Sequence, residues 1–456
     1  MRVRFWGTRG SIATPGPGTN HFGGNTSCVE VTTASGALLI LDCGTGVHGL
    51  AASLLARDKQ PVDANILLGH THWDHIQGFP FFTPAFVKGN SAAIYGPEGS
   101  GGSLRKVLSG QMEYTYFPVE LEQLPAAITY HELTEGIHTI AGVRVAAQFL
   151  NHPAMTLGYR IEADGVALVY LVDHEPFSDD LWRADAEPGH IESILHEGDR
   201  RHARFMSGAD LVIHDAQYTP AEYPAKKTWG HSTYEYVVRM ASAAGVRRVA
   251  LTHHDPGHDD RFVADIERDA RALALQQGGG LDVFCAYEGF ELQLAPHAGI
   301  APVLPPAPLQ EAVAQRCFRI LVVDDHADTL ALASRALEDD RHRVSQATNG
   351  PDALRMIAEH IPDLVVLDFK MKGMDGMAVI KALRANAATR HLPVLMLTAM
   401  NDEASTRAGF EAGVTDYVTK PFSIPQLTSR VRACLARAQL PEGAVAQAET
   451  PSTPSR

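Results

Sequence analysis

The sequence predicts two α/β domains in tandem, the first a layered mix of strands and helices and the second a doubly wound parallel sheet. Three observations predict this. The chain has 456 residues, more than one hydrophobic core usually supports. A Pro/Ala-rich run over residues 295–309 interrupts it and can hold neither a helix nor a strand ladder. Short β-rich segments recur between turn signals before that run, whereas strand and helix alternate regularly over residues 318–437 after it. The expected boundaries are a first domain over 1–295, a linker over 296–316, a second domain over 317–437 and a disordered tail over 438–456.

In the first domain, runs rich in Val, Ile, Leu and Phe and bounded by turn residues predict strands at 2–7, 27–33, 37–42, 64–69, 92–95, 143–149, 168–172 and 211–214. Helical spacing of apolar residues predicts helices at 234–244 and 260–276. Past the linker a short helix-compatible stretch, 310–316, leads into Phe318-Arg-Ile-Leu-Val-Val, an apolar run of the kind found in buried parallel strands.

Composition narrows the function. A net charge of -14 with no long basic run offers nothing attractive to a polyanionic backbone, so DNA and long RNA are not expected partners. Small anions stay within reach, because bound cations invert the local field. The five cysteines show no CxxC spacing, which points to a reducing cytoplasm rather than a disulfide framework or a thiolate zinc site. The opening Met1-Arg-Val-Arg-Phe-Trp is strand-like, and no stretch is long enough to span a bilayer, so neither secretion nor a membrane is expected.

The run at 64–69 delivers directly into His70-Thr71-His72-Trp73-Asp74-His75, four candidate ligands in six positions. Such crowding of imidazoles is costly without a cation to bind. His70 and His72, two apart on an extended segment, project to one side, while Asp74 and His75 begin the following turn and can face a second ion. Nitrogen and oxygen donors suit Zn, and also accept Mn or Fe. Further candidates stand where apolar runs end: His152, Asp173 and His253.

The order HxHxDH, then His, then Asp, then His resembles the metallo-β-lactamase superfamily, over nearly all of residues 1–295. The resemblance implies a four-layer αβ/βα sandwich with the site at one edge between its sheets. It implies two divalent metals, one on His70, His72 and His152, the other on Asp74, His75 and His253, with Asp173 bridging both. Trp73 stands where flavodiiron oxidoreductases carry a glutamate ligand, which favours hydrolysis over redox chemistry.

Gly230-His231-Ser232-Thr233, downstream of Ile213-His214-Asp215-Ala216, resembles the histidine motif of tRNase Z and of cyclic phosphodiesterases such as phosphoribosyl 1,2-cyclic phosphate phosphodiesterase. That likeness implies a phosphodiester cleaved by a metal-bridging hydroxide, with His231 protonating the leaving alkoxide and Asp74 helping to orient the nucleophile. Ser232 or Thr233 would also cap the helix that follows. His214 and Asp215 have either a structural or orienting role or a direct one in the chemistry. In the glycine-rich opening loop, Arg9 either contacts a substrate anion or sits in an exposed turn. Gly78-Phe79-Pro80-Phe81-Phe82 is expected to pack beneath the metal loop. The short interval from His152 to Asp173 leaves no room for the arm with which tRNase Z grips transfer RNA, so the expected substrate is small: a cyclic nucleotide, a cyclic sugar phosphate or a short oligonucleotide linkage.

In the second domain three apolar runs end at Asp324-Asp325, Asp368 and Thr398, and a fourth, around Tyr417, precedes Lys420. Parallel strands align such ends at one sheet edge, gathering three carboxylates, a hydroxyl and an ammonium. The set can hold Mg by hard oxygen ligands and take up a phosphoryl group. It resembles the response-regulator receiver, a (βα)5 flavodoxin-like domain, over residues 317–437. The resemblance implies Asp368 as phosphoacceptor, Asp324 and Asp325 as Mg ligands, Thr398 and Lys420 as phosphoryl contacts and Tyr417 as the switch. Lys372 stands where many receivers have proline.

The expected protein is a two-component-controlled dinuclear metal hydrolase of small phosphodiesters, regulated by phosphorylation of Asp368. Its partners would be the substrate, a cognate histidine kinase or phosphotransfer protein and, as one form of response, a second copy in a homo-dimer. The alternatives are a hydrolase of esters, thioesters or lactones, and a non-catalytic phosphorelay adaptor.

Overall fold

A computed structural model describes residues 1–57, 61–97, 103–184, 186–278, 280–296, 317–399, 413–420, 422 and 424–438. The expected linker from 297 on, with its helix-compatible stretch, and the tail from 439 on lie outside the described residues. The chain divides into two compact units, Met1–Pro305 and Pro306–Arg456.

The first unit contains β1 (Arg2–Gly7), β2 (Cys28–Thr32), β3 (Leu38–Leu41), β4 (Asp63–Leu67), β5 (Ser91–Pro97), β6 (Ala127–Leu133), β7 (Gly136–Ile140), β8 (Val143–Phe149), β9 (Leu157–Ala163), β10 (Val166–Leu171), β11 (Leu211–Asp215), β12 (Arg248–Thr252), β13 (Asp282–Cys285) and β14 (Glu291–Gln293). Its helices are α1 (Val47–Arg57), α2 (Trp73–Ile76), α3 (Leu104–Gln111), α4 (Glu197–Met206), α5 (Tyr234–Ala243) and α6 (Asp260–Gln276). The strands form two sheets, ordered β14-β1-β2-β3-β4-β5-β6 and β13-β12-β11-β10-β9-β8-β7. β3 to β6 are parallel neighbours in the first sheet and β10 to β13 in the second, with antiparallel strands filling the rest.

The central parallel strands carry unbroken apolar runs because both of their faces are covered. Every residue of β10, Val-Ala-Leu-Val-Tyr-Leu, is buried. Outside the second sheet pack α4, α5 and α6, the last presenting Val263, Ile266, Ala270 and Ala274 at helical spacing. Outside the first lie Val47, Leu50, Ala51 and Leu54 of α1 together with Phe79 and Phe82. Between the sheets, the Tyr159 hydroxyl donates to Leu68 O (2.6 Å) and the His254 N–H to Thr8 O (2.9 Å). These layers form the expected αβ/βα sandwich.

Sequence patterning missed β6, β7, β9, β13 and β14. β6 and β7 are largely exposed or half-exposed, and their His, Glu and Thr residues dilute the apolar signal. β9 buries Arg160, which survives there by bonding Glu162 and the carbonyls of Phe205 and Ser207. The α5 cap is Thr233, whose side chain accepts from Tyr236 N–H.

The second unit contains β15 (Arg319–Val323), β16 (Arg343–Ala347), β17 (Leu364–Asp368), β18 (Val394–Ala399) and β19 (Asp416–Lys420), with α7 (Ala327–Asp339), α8 (Gly350–Glu359), α9 (Gly376–Ala385) and α10 (Ile424–Ala438). The sheet is parallel throughout, in the order β16-β15-β17-β18-β19, with an apolar core on each face. This is the doubly wound receiver fold. No helix among the described residues of the chain is long and apolar enough to cross a membrane.

Candidate metal centre and phosphoacceptor pocket

Each candidate ligand of the first unit stands just past a strand end. β4 leads through Leu68 and Gly69 to His70; β8 leads to His152, β10 to Asp173 and β12 to His253. His72 caps α2, and that single turn carries Asp74 and His75 inward while Trp73 is 72% exposed. Asp173 and His253 hold left-handed backbone conformations, φ 66° and 59°, which side-chain-bearing residues rarely adopt and which concentrate at functional sites.

The seven side chains converge. The ligand atoms of His70, His72, His152 and Asp173 lie within 4.8 Å of one another, as do those of Asp74, His75 and His253. Asp173 stands between the groups. Its Oδ2 is 3.4 Å from Nε2 of His70, 3.6 Å from that of His152 and 3.4 Å from that of His75, and its Oδ1 is 3.1 Å from His253 Nε2. Asp74 Oδ2 is 3.2 Å from His75 Nε2 and 3.1 Å from His253 Nε2.

Divalent cations fit this set. Both ring nitrogens of His70 and the Nε2 of His75 are buried without a hydrogen-bond partner, a state that costs free energy unless something else binds them. Burial pushes His70 well below the ordinary histidine range and His152 down to about 3, leaving neutral imidazoles with free lone pairs. Burial opposes ionisation of Asp74 and Asp173, but the histidines around them prevail and hold both carboxyls well below their usual range.

Neighbouring groups aim the ligands. His152 Nδ1 is 3.0 Å from Gly230 O, and His253 Nδ1 is 2.9 Å from Gln217 Oε1. Ser11 N–H donates to Asp74 Oδ2 at 2.9 Å. His75 Nδ1 faces Asp42, which sits at φ 58° just past β3. Asp42, Gln217, Glu175 and Ser11 were not singled out in the sequence. Asp42 closes an apolar run as the other ligands do, and that signal could have found it.

His231 is 8% exposed, with its ring 4.9 Å from that of His253 and its Nδ1 3.4 Å from Asp215 Oδ2. Burial lowers its proton affinity, but Asp173 and Asp215 outweigh burial and raise it above the ordinary histidine range. Asp215 also accepts from Ser232 N–H (2.9 Å) and His174 N–H (3.1 Å), which fixes it beneath His231. His214 turns away from the site, its Nε2 2.8 Å from His202 Nε2.

Arg9 corrects the sequence reading. It is fully buried, its Nε donating to Gly23 O (2.8 Å) and its Nη1 to Asp255 O (3.1 Å) and His258 O (2.6 Å). It is therefore neither a substrate contact nor an exposed turn residue; its fork ties the opening loop to the segment after β12. That loop approaches so closely that a Cβ on Gly10 would stand 2.3 Å from the His253 ring. Phe79 and Phe82 pack inside as expected, but Phe81 is 52% exposed.

In the second unit Lys420 Nζ lies 2.7 Å from both Asp324 Oδ2 and Asp368 Oδ1. Asp324, Asp325, His326 and Asp368 bring ligand atoms within 4.8 Å of one another; the sequence reading had not included His326. The Thr398 hydroxyl is buried without a partner beside the strand that carries Asp368. Lys372 N–H donates to Asp325 Oδ2 at 3.1 Å. Burial raises the Asp368 carboxyl above the usual aspartate range although Lys420 opposes it. Mg fits these carboxylates, and a phosphoryl group on Asp368 would find Thr398 and Lys420 close by. Tyr417 lies half-buried against the same core.

Fold and sites together define a metallo-β-lactamase-like unit joined to a receiver. A family model described as a beta-lactamase superfamily domain matches residues 38–254, and one described as a response regulator receiver domain matches residues 320–432. The chain is 41% identical over 114 residues to the response regulator PleD of Caulobacter vibrioides, covering 25% of each chain. A solved protein of Chloroflexus aurantiacus assigned to the response regulators is 39% identical and matches over 27% of this chain and 100% of its own, with a TM-score of 0.26. The metallo-beta-lactamase fold protein YhfI of Bacillus subtilis is 17% identical over 64% of this chain and 99% of its own, with a TM-score of 0.45. The chain spans about a quarter to about a half of the length of the curated relatives it matches. The chain therefore carries a beta-lactamase superfamily domain followed by a response regulator receiver domain.

Proposed function

We propose that the first unit is a metal-dependent hydrolase of small phosphodiesters, and that phosphorylation of Asp368 controls it. The observation that carries the reading is the place of His231, an imidazole with Nδ1 3.4 Å from Asp215 Oδ2, beside seven converging candidate ligands. His70, His72 and His152 would hold one divalent ion, Asp74, His75 and His253 the other, with Asp173 shared. Such ions supply Lewis acidity and an ionised water at neutral pH.

The protein's own groups do the rest. Asp74, kept ionised and fixed by Ser11 N–H, orients the attacking water. His231 turns Nδ1 to Asp215, which leaves Nε2 to hand a proton to the leaving oxygen. An alkoxide is a poor leaving group, so a proton donor there contributes roughly 10²–10⁴ in rate. Between His152 and Asp173 the chain spends its length on the β9–β10 hairpin, and the net charge is -14; both favour a small substrate, a cyclic nucleotide or cyclic sugar phosphate, over a long nucleic acid.

The test uses the full chain loaded with zinc and a ribonucleoside 2′,3′-cyclic phosphate, whose leaving group is an alkoxide that needs a proton. Wild type should turn it over, and His231→Ala should lower kcat by roughly 10²–10⁴ with both ions still bound. Wild-type protein that is inert toward phosphodiesters, or an unchanged kcat in the variant, overturns the reading. Control by the receiver is checked by treating wild type and Asp368→Asn with a phosphodonor. Turnover or self-association should change in the first only, and identical behaviour of the two rules the coupling out.

A further inference from the structure

Beside His231 stands a group of side chains that this chemistry leaves unused. Tyr218, 1% exposed, packs its ring edge-on against His231 with centroids 5.9 Å apart. Over it, Lys226 holds Nζ 5.7 Å from the Tyr218 ring centroid and 4.3 Å from that of Trp229, whose own ring is 56% exposed. The neighbouring Lys227 is paired with Asp179 at 2.8 Å, but Lys226 has no carboxylate partner among the described residues. The Tyr218 hydroxyl is buried and equally without a partner.

The segment that carries these groups is fixed. Glu175 accepts from Thr228 N–H (2.7 Å), Gly230 N–H (3.0 Å) and the Tyr223 hydroxyl (3.1 Å), and it holds Thr228 at a left-handed φ of 72°. Through Gly230 the same segment grips His152. The backbone that carries Lys226 is therefore held in place relative to His152 and His231. On a chain of net charge -14, an anionic substrate needs local positive charge to approach, and Lys226 supplies it one ring away from the proton donor.

Resting on the phosphodiester reading above, we infer that Lys226, seated on Trp229 and Tyr218, is a specificity-determining residue that takes an anionic group, phosphate or carboxylate, on the leaving half of the substrate. It lies on that side because Tyr218 abuts His231, the donor to the leaving oxygen. The preferred substrates are then phosphodiesters whose leaving half is itself charged.

Two synthetic diesters test this on the zinc-loaded full chain: methyl p-nitrophenyl phosphate and its carboxylated counterpart, methyl 3-carboxy-4-nitrophenyl phosphate. In both the nitrophenolate departs, so the leaving half is known. With each rate divided by that of uncatalysed hydrolysis, wild type should favour the carboxylated ester by about three- to fivefold in kcat/KM, as a partly exposed ion pair allows, mainly through KM. Lys226→Gln should bring the ratio near one and Lys226→Arg should keep it. A wild-type ratio near one, or a preference that survives Lys226→Gln, overturns this inference and leaves the phosphodiester reading standing. Turnover of neither ester by wild type overturns both.

Discussion

Asp42 Oδ2 lies 2.7 Å from Nδ1 of His75 and accepts the Tyr170 hydroxyl at 2.6 Å, while its other oxygen accepts Gly69 N–H at 2.7 Å. One carboxylate thus sets the tautomer of a candidate ligand and anchors the loop that delivers His70. Asp42 is fully buried, and the group that can carry positive charge against it is His75, which Asp74, Asp173 and Asp42 hold well above the ordinary histidine range against the effect of burial. A metal ion on the far nitrogen of His75 would take the place of that proton.

Asp42→Ala should therefore weaken metal binding by roughly 10- to 100-fold, the usual cost of removing such an orienting partner. It should also cost about 1–3 kcal/mol of stability, because three buried donors lose their acceptor. Titration against a chromogenic chelator reads the first effect and denaturant unfolding the second. Wild-type metal affinity in the variant would show that His75 is aimed by packing alone.

Gly230 meets two demands that no other residue satisfies. Its φ is 91°, and a Cβ there would stand 2.1 Å from His152 Nδ1, in the space of the hydrogen bond that its own carbonyl makes with that ring. Gly230→Ala should displace both His152 and the adjacent His231, lowering kcat/KM by on the order of 100-fold with little change in secondary structure. Circular dichroism alongside kinetics separates this from unfolding. Near-normal kcat/KM in a folded variant would mean that the segment relaxes without moving the rings.

Much of this was legible in the chain because strand ends carry the chemistry. HxHxDH, His152, Asp173 and His253 each follow an apolar run, and the (βα)5 rhythm places Asp324, Asp368 and Lys420 at one edge. What escaped was whatever depends on long-range packing. Arg9 looks solvent-facing in its glycine-rich turn, and only the approach of residues 255–258, some 246 positions later, turns it into a buried strut. Asp42 and Glu175 belong to no local motif; their roles appear once distant loops bring N–H donors to them. His326 lies beside the predicted pair and was passed over because receivers are read by their carboxylates.

Asp199 gives the first unit a pH dependence of its own. Burial drives its carboxyl up to about 7, against hydrogen bonds from the Tyr236 hydroxyl (2.6 Å) and Phe177 N–H (3.2 Å) that favour the ionised form. The folded state therefore binds a proton that the unfolded chain releases near pH 4, so this group's contribution falls as pH rises toward about 7 and is flat above it. Asp199→Asn keeps an oxygen to accept both bonds and removes the charge. Its melting temperature should exceed that of wild type by several degrees at pH 8 and by much less at pH 5. The same difference at both pH values would mean that Asp199 is not titrating.

The receiver pocket makes the corresponding argument with a cation. Lys420 Nζ is the one ammonium that the described residues place between Asp324 and Asp368, at 2.7 Å from each, and the two carboxylates are 0% and 4% exposed. Removing it in Lys420→Ala leaves buried like charges facing each other, at a cost of about 1–3 kcal/mol, less than for a fully enclosed pair because Lys420 itself is partly in solvent. Mg²⁺ bound by the same carboxylates would replace the missing charge. Thermal unfolding should therefore show the variant destabilised in chelator and largely restored by millimolar Mg²⁺, with a larger Mg²⁺-induced rise than wild type. Equal rises in both proteins would mean that the ion is held away from the Asp324 and Asp368 oxygens that Lys420 contacts, and would place it on Asp325 and His326 instead.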